Sequence, residues 1–317
     1  MRGAVRRTRS LTGSRPLLCP GDVIDVVAPG FRGSDEHLAR GLELLRGWGL
    51  RPRAPRGLFG PDLLCANSDR ARYQQLRRAL FAPDSRAIWC VRGGYGAIRL
   101  IPALLALDRP VHRKLLIGYS DATTLHYLLN HHWGWPSLHG PHLDRLGAGT
   151  LAPESLSELE AVLLRGTRQL TFRNLKPLNA AARRLHRVRA PLFGGNLAVL
   201  QTILGTALQR RVPQILFLED IGERGYRVDR MLQHLLQAGA LSGVKAIVFG
   251  EFIGGRESDG RELALPVIER FAREWPSPVL AGLQAGHAEH QPPLFFNTMA
   301  TLMCGRRPEL TVESPQP

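Results

Sequence analysis

The sequence predicts an α/β protein built on a parallel sheet with helices on its faces. Three observations support this fold class. Short apolar runs alternate with amphipathic helical patterns, as they do in chains of βα units. Polar and glycine-rich loops follow several of these runs, and ligands of parallel sheets bind at that edge. The 317 residues exceed what one compact unit usually needs, which leaves room for two domains and a cleft.

The first half of the chain shows the βα alternation most clearly. An apolar run at residues 22–29 predicts a strand, and Ser34 then caps a helix that stops at Gly49. A second helix begins at Ser68. The same reasoning predicts two further strands and one further helix, at residues 87–91, 114–118 and 121–133.

The pattern weakens in the middle of the chain and then resumes. After a helix at residues 154–165, an arginine-rich segment lacks clear periodicity. A second α/β series follows, with helices at 196–205 and 226–239 and strands at 214–220, 246–250 and 278–283. We therefore expect a disordered basic tail at 1–15, an N-terminal domain at 16–165, a linker at 166–190 and a C-terminal domain at 191–317.

Composition excludes several functional classes. The formal charge is +15, but only three of the 42 basic residues are lysine, and the arginines are spread over the whole chain without interleaved aromatic residues. We therefore expect no nucleic-acid partner. The basic N-terminus is followed by no apolar segment, so we expect neither membrane insertion nor secretion, but a cytoplasmic protein. The four cysteines lack metal-ligand spacing, so we expect no disulfide framework and no metal site.

Ser120 lies at the bend between a predicted strand and a predicted helix. A strand-turn-helix of this kind exposes the oxygen of a serine nucleophile, and the N–H of the next residue, Asp121, then faces a developing oxyanion. The surrounding residues do not follow the G-x-S-x-G pattern, and serine is also a common N-terminal cap of helices. For this segment alone, both interpretations stay open.

A serine nucleophile needs a base and a carboxylate that orients the base. His287 lies in a loop that contains Gly286, where a catalytic imidazole would be displayed, and a surface histidine is the simpler alternative. His139 also follows a possible strand end and stays a candidate. Packing or surface roles are favoured for the three histidines in or just after the helix that follows Ser120, namely His126, His131 and His132.

Glu219 and Asp220 end a strongly apolar strand. A buried carboxylate needs partners, because an unpaired buried charge costs several kcal/mol or shifts its pKa. The chain order Ser, Glu, His is feasible for a triad. The alternative is a structural ion pair with Arg224, Arg227 or Arg230, or a cap for the next helix.

The segment "RGGYG" at residues 92–96 follows a strand and opens a helix, so its N–H groups could hold an anion. It could form a phosphate-binding loop, an oxyanion hole beside Ser120, or a flexible connection without a ligand. Nucleotide binding is the weaker of the functional readings, because the segment lacks both the P-loop pattern and G-x-G-x-x-G.

Taken together, these segments resemble the LD-carboxypeptidase family, serine peptidases that trim murein tetrapeptides. The matching stretches run in the family's order over roughly residues 20 to 290. They include "GDVIDVVAPG", "RGGYG", "YSD", "LHGPH", "GGNL" with a following "GT", "LEDIGERGYRVDR" and the Gly-His pair at 286–287.

The resemblance implies a role for individual residues. Ser120 would be the nucleophile, His287 the general base and Glu219 the residue that orients it. The backbone N–H groups of Asp121 and Gly94 would form the oxyanion hole. The substrate ends in a carboxylate, and the candidates for binding the substrate are Arg92, Tyr95, Arg224 and Arg227.

The resemblance also implies the architecture and the reaction. The N-terminal domain would be doubly wound and flavodoxin-like, the C-terminal domain α/β, and the protein a homodimer without metal or cofactor. The bond cleaved would join the L-centre of diaminopimelate to a terminal D-alanine, in cell-wall recycling.

Two loops depart from the family pattern. "LQAGH" lacks the usual aromatic-proline run before Gly-His, and "APG" replaces a turn that often contains serine. Both loops border the cleft, so they bear on substrate preference. Two other functions therefore stay open: hydrolysis of a nucleotide-peptide antibiotic in self-immunity, and non-catalytic binding of muropeptides or nucleotides.

Overall fold

Two β-sheets form the frame of the molecule. The computed structural model describes residues 15–316, so the tail expected at 1–15 lies outside the described residues except for Arg15. In chain order, the strands of the described part are β1 (Val23–Val27), β2 (Arg51–Arg53), β3 (Ser85–Cys90), β4 (Leu115–Gly118), β5 (Ser137–His139), β6 (Gln169–Arg173), β7 (Lys176–Pro177), β8 (Arg187–Asn196), β9 (Gln214–Ile221), β10 (Val244–Ile253), β11 (Val279–Ala281), β12 (Leu294–Phe296), β13 (Met299–Met303) and β14 (Glu309–Glu313).

Helices cover both sheets. The α-helices of the same described part are α1 (Asp35–Gly47), α2 (Asp69–Phe81), α3 (Ile101–Leu105), α4 (Thr123–Tyr127), α5 (Leu143–Ala148), α6 (Pro153–Leu164), α7 (Ala180–Arg183), α8 (Leu197–Gln201), α9 (Gly225–Gln237) and α10 (Ala264–Glu274). Short 3₁₀ turns precede α3 and α4, and a π-helical turn at Leu128–His132 continues α4. In residues 15–316, none of the helices has the length and apolar character needed to cross a bilayer.

The first sheet has the strand order β12-β5-β4-β3-β1-β2. Strands β1 to β5 are parallel and follow the flavodoxin-like order 2-1-3-4-5, so the predicted doubly wound fold is confirmed. Strand β12 comes from near the far end of the chain and pairs antiparallel with β5. The switch point of this sheet lies between β1 and β3, where the loops after both strands face each other.

Local sequence signals explain why the first helices begin where they do. Ser34 and Ser68 are the N-caps of α1 and α2, and their hydroxyls accept hydrogen bonds from the N–H groups of His37 and Ala71. The predicted starts of both helices are therefore confirmed. Residues 87–90 of β3 form a continuous apolar run because helices bury both faces of the sheet.

The second sheet is mixed, with the order β6-β14-β13-β8-β9-β10-β11-β7. Its centre, β8 to β11, is parallel, and antiparallel strands complete both edges. Residues 166–190, which we expected to be a linker, contain β6, β7 and α7 and begin β8. The segment therefore supplies both edge strands of this sheet. Hydrophobic periodicity did not identify these strands, because edge strands expose one face to solvent and this segment is rich in arginine.

The two sheets approach each other closely at α4 and β8. Thr123 on α4 accepts a hydrogen bond through Oγ1 from the N–H of Asn196, at 3.0 Å. A Cβ at Gly195 would lie 2.4 Å from the same Thr123 oxygen, and the φ of Gly195 is +132°, so only glycine fits there. One buried apolar cluster joins Leu125 of α4 to Leu200 of α8. The carboxyl end of β9, where Glu219 pairs with Asn196, therefore lies close to the turn that follows β4.

Candidate active site

Ser120 occupies a strained turn directly after β4. Its φ is +57°, a left-handed conformation that a residue with a Cβ seldom adopts. The turn at Ser120–Ala122 has Tyr119 as its N-cap residue, and in this part of the described chain no side-chain hydrogen bond caps either the turn or α4. Capping therefore does not account for Ser120, whereas the bend matches that of a nucleophile elbow.

The glycine loop at residues 92–96 lies against Ser120. A Cβ at Gly93 would come within 2.9 Å of the Ser120 Cβ and 3.0 Å of its Oγ. The N–H of Phe31 donates to the carbonyl of Gly93 at 2.9 Å. Because the peptide is trans, the N–H of Gly94 points away from this carbonyl oxygen, in the opposite direction along the same peptide plane. Gly94 itself packs on the Phe31 ring, so Gly93 is the glycine whose missing side chain makes room for Ser120.

Two buried charged side chains, Asp121 and Arg72, bind the backbone of the glycine loop. The Asp121 carboxylate accepts the N–H of Ala97 at 2.9 Å and so ties the end of the loop to the nucleophile turn. Burial raises the pKa of Asp121 to about 6, against the opposing effects of two backbone N–H groups and of Arg72. The buried Arg72 guanidinium donates to the carbonyls of Gly96, at 3.0 Å, and of Pro29. The loops after β1 and β3 are therefore fixed to one cation.

Glu219 and His287 form a hydrogen-bonded pair. The Nδ1 atom of His287 lies 2.7 Å from Oε2 of Glu219. The Glu219 side chain is fully buried at the end of β9, whereas the His287 side chain keeps 10% of its surface exposed. Burial alone would raise the pKa of Glu219, but the adjacent imidazoles of His139 and His287 outweigh it and lower this pKa to about 2. Glu219 is thus an anion at neutral pH.

His139, the other candidate base, is placed differently. Its Nε2 lies 3.9 Å from Oε1 of Glu219, within ion-pair range but beyond hydrogen-bond distance. The ring is fully buried between Phe217 and Phe296. A base must reach the proton that it removes, and of these two histidines only His287 keeps part of its side chain exposed.

The ring of Tyr119, the residue before Ser120, packs against the rings of two histidines, His142 and His287. Its ring centroid lies 4.7 Å from that of His287 and 4.3 Å from that of His142. The N–H of Tyr119 donates to Nε2 of His142, whose pKa burial lowers well below its usual range, so this imidazole is a neutral acceptor. Because Ser120 follows Tyr119 directly, the His287 imidazole lies beside the turn that carries Ser120.

Comparison with protein families decides the classification. The model of the LD-carboxypeptidase N-terminal domain matches residues 24–140, and that of the LD-carboxypeptidase C-terminal domain matches residues 189–302. The chain belongs to the LD-carboxypeptidase family. It is a serine-type carboxypeptidase, as the sequence predicted.

Individual relatives agree with this assignment. The murein tetrapeptide carboxypeptidase of Pseudomonas aeruginosa is 33% identical over 274 residues, which cover 83% of this chain and 87% of the relative. The crystal structure of muramoyltetrapeptide carboxypeptidase from Oxalobacter formigenes superposes with a TM-score of 0.77 at 27% identity, over 92% of this chain and 98% of that one. An MccF-like protein from Bacillus anthracis shares the fold, with a TM-score of 0.79 at 20% identity over 95% and 99% of the two chains.

The four predicted substrate-binding residues of this LD-carboxypeptidase differ in their contacts. Arg224 donates through Nε to Glu257 at 2.8 Å, and Arg227 forms an ion pair of 2.8 Å with Glu223, so acidic partners already neutralise both cations. The exposed Arg92 donates to the carbonyl of Arg32 over 3.5 Å, and within residues 15–316 no carboxylate forms an ion pair with it. Tyr95 lies on the glycine loop with 39% of its surface exposed. Arg92 is therefore the cation best able to take a further anion.

Sequence reasoning missed three residues that contact the His287 loop or the nucleophile turn. Arg145 on α5 donates to the carbonyl of His287, and Glu251 on β10 accepts the N–H of Ala288. The third is His142, described above. His142 ends the "LHGPH" stretch of the resemblance, but no local pattern marks Arg145 or Glu251, because their partners are backbone groups of segments that are distant in the sequence. In the described residues, no three His, Cys, Asp or Glu side chains are grouped as metal ligands.

Proposed function

We propose that this LD-carboxypeptidase removes the terminal D-alanine from murein tetrapeptides through a triad of Ser120, His287 and Glu219. One observation carries the proposal: the bond between Glu219 and His287 lies beside the strained turn that exposes Ser120. Murein tetrapeptide carboxypeptidase is also the name of a relative that covers most of the chain. The reaction would serve cell-wall recycling in the cytoplasm.

The proton path follows from the geometry of the pair. Nδ1–H of His287 donates to the Glu219 carboxylate, which leaves the lone pair on Nε2 to accept a proton. Nε2 takes the hydroxyl proton as Ser120 Oγ attacks the carbonyl carbon of the penultimate residue. Glu219 stabilises the resulting imidazolium because it stays ionised with a pKa of about 2.

Two half-reactions complete the turnover. Collapse of the tetrahedral intermediate breaks the peptide bond, and His287 gives its proton to the departing nitrogen of D-alanine. Water then loses a proton to His287 and attacks the acyl carbon. When this second tetrahedral intermediate collapses, the bond to Ser120 Oγ breaks, His287 returns the proton to that oxygen, and the shortened peptide leaves. The N–H groups of Asp121 and Gly94 would stabilise the oxyanion in both steps. Arg92 would bind the terminal carboxylate of the substrate, since its charge is not already paired.

Release of D-alanine tests this function directly. The wild-type protein should release D-alanine from murein tetrapeptide, and Ser120→Ala should reduce kcat by about 10⁴-fold or more, because the triad acts as a unit. Ser157→Ala, at an exposed position on α6, is the matched control and should keep full activity. Substantial turnover by Ser120→Ala would refute the mechanism.

The substrate choice is tested in the same assay. A peptide linked to a nucleotide through its carboxyl end, offered as a competing substrate, should be cleaved with a lower kcat/KM than the tetrapeptide. The reverse preference would identify the nucleotide-peptide as the better substrate, with Tyr95 as the exposed aromatic residue available for stacking on a base. Binding of muropeptide without turnover by the wild type would instead favour a purely binding role.

A further inference from the structure

The loop that carries His287 passes from one sheet to the other. It leaves the second sheet at the end of β11 and enters the first sheet at β12. Residues 282–293 between these strands form no helix or strand of their own. A catalytic imidazole needs a defined orientation, so the contacts of this loop must supply the rigidity that regular structure does not.

Contacts from the N-terminal half fix this loop on one side. Nη1 of Arg145 donates to the carbonyl of His287 at 3.3 Å and to Oε1 of Gln291 at 3.1 Å, and Nη2 donates to the carbonyl of Ala288. Close by, the N–H of Gln291 donates to Ser155 Oγ at 2.8 Å. One guanidinium thus contacts the backbone at His287 itself and the side chain four residues further on.

The second sheet contributes further contacts to this loop, beginning with the hydrogen bond between Glu219 and His287. The N–H of Ala288 donates to Oε2 of Glu251 at 3.1 Å. Burial raises the pKa of Glu251, and the nearby charge of Glu219 acts in the same direction. Arg145 also acts on Tyr119, whose ring lies against that of His287: burial raises the pKa of the Tyr119 phenol, and the Arg145 cation partly offsets this.

We propose that Arg145 is a positioning residue that sets the orientation of the His287 imidazole towards Ser120 by holding the His287 loop against the N-terminal half. The inference rests on the proposed role of His287 as general base. An arginine is needed because its planar group presents several donors at fixed angles, and here it serves three acceptors at once. A lysine at this position would reach fewer of them.

Steady-state kinetics on murein tetrapeptide test this role. Arg145→Ala should lower kcat by about 100-fold with KM nearly unchanged, since a misplaced base slows chemistry and leaves substrate binding intact. Arg145→Lys should recover part of this loss and leave kcat about 10-fold below wild type. Arg40→Ala, which removes an exposed arginine paired with Glu36 on α1, is the control and should keep the wild-type kcat.

A chemical readout separates positioning from a general loss of structure. The rate at which a fluorophosphonate labels Ser120 depends on the base, so it should fall in Arg145→Ala by a factor similar to kcat, while the midpoint of thermal unfolding stays near that of Arg145→Lys. If Arg145→Ala does not fold, Gln291→Met removes one acceptor at similar side-chain volume and should lower kcat by about 10-fold with KM retained.

Three results would overturn the inference. The first is a wild-type kcat in Arg145→Ala. The second is a rise in KM at constant kcat, which would assign Arg145 to substrate binding. The third is normal labelling of Ser120. Failure of the proposed function looks different, because His287→Ala and Ser120→Ala would then retain turnover whatever the behaviour of Arg145.

Discussion

Two neighbouring carboxyl groups at the end of β9 have pKa values shifted in opposite directions. Glu219 is held as an anion by two histidines, with a pKa lowered to about 2. Burial raises the pKa of Asp220 to about 7, and the negative charge of Glu219 adds to this shift. Asp220 accepts hydrogen bonds from the side chain of Asn196 and from the N–H of Ala198, which oppose the shift without cancelling it. The Glu219 carboxylate is thus charged at neutral pH, whereas the neighbouring Asp220 carboxyl keeps its proton up to about pH 7.

This contrast predicts a pH dependence of stability. The ordinary pKa of Asp220 is 3.8, so between pH 3.8 and about 7 the unfolded chain releases the proton while the folded chain keeps it. A raised carboxyl pKa therefore makes the free energy of unfolding fall as pH rises through this window and level off above it. In Asp220→Asn this contribution is absent, so the variant should gain stability relative to wild type from pH 4 to about 7.

Urea denaturation at a series of pH values measures this difference. Asp84→Asn is the control, because Arg53 lowers the pKa of the exposed Asp84, and the contribution of that ion pair changes only below pH 3.8. Its stability relative to wild type should stay constant from pH 4 to 7. An equally constant difference for Asp220→Asn would contradict the assigned shift.

At the residue level, candidate reactive side chains are easier to identify from the sequence than the residues that hold them in place. Ser120, Glu219 and His287 were candidates because each is a reactive side chain at the end of a strand or in a glycine-containing loop, and their roles in a triad, which the family resemblance implies, stay a prediction. Arg145 could not be predicted, because a single arginine in "HLDRLG" has no signal until the loop that it binds is in place. For the same reason, the sequence does not distinguish Gly93 from Gly94 as the neighbour of Ser120.

The glycine loop between β3 and α3 leaves the space that the Ser120 side chain occupies, because Gly93 has no Cβ. Gly93→Ala would place a methyl group within 3.0 Å of Ser120 Oγ and should displace the hydroxyl. We expect kcat to fall by about 100-fold, since displacements of about 1 Å have effects of this size. D-alanine release measures the loss. Gly47→Ala, on the exposed end of α1 with no neighbouring atom within 4 Å, is the matched control. Equal activity of the two variants would show that the loop yields to the methyl group.

Elements with strong periodicity were predicted closely, and short or edge elements were not. The helices α1, α2, α6 and α9 and the strands β1, β4 and β9 agree with the prediction to within a few residues. The edge strands of the second sheet, β6 and β7, are absent from the prediction. They are short, and the alternation of apolar and polar residues is weak in this arginine-rich segment. The predicted helix at 121–133 differs in kind, since it begins as a 3₁₀ turn and continues beyond α4 as a π-helical turn.

For the whole molecule, the pairing of β12 with β5 joins the two halves of the chain. The division into domains at 16–165 and 191–317 stays a prediction. However, β12 belongs to the second range and pairs with β5 of the first, and one apolar cluster contains residues of both ranges. We expect one cooperative unfolding transition. Four of the five tryptophans, at positions 48, 89, 133 and 135, lie in the first half and report on it by fluorescence, whereas far-ultraviolet circular dichroism reports on the whole chain.

The midpoints of the two signals should coincide in a thermal or urea experiment. Separate midpoints would indicate halves that unfold independently and would contradict the shared core. The homodimer that the resemblance implied and the cytoplasmic location that we expected from the N-terminal sequence stay predictions, and sedimentation velocity of the purified chain checks the first of them.

The crossing of β12 has a consequence for synthesis on the ribosome. Ser120 and its glycine loop emerge early, but the imidazole that would activate the serine lies 167 residues later in a loop whose far end is anchored by β12. Until residue 296 has left the exit tunnel, β5 has an open edge and the hydroxyl has no base beside it. With the proposed triad, a nascent chain would therefore be unable to hydrolyse peptides, and activity would appear only when β12 has paired with β5.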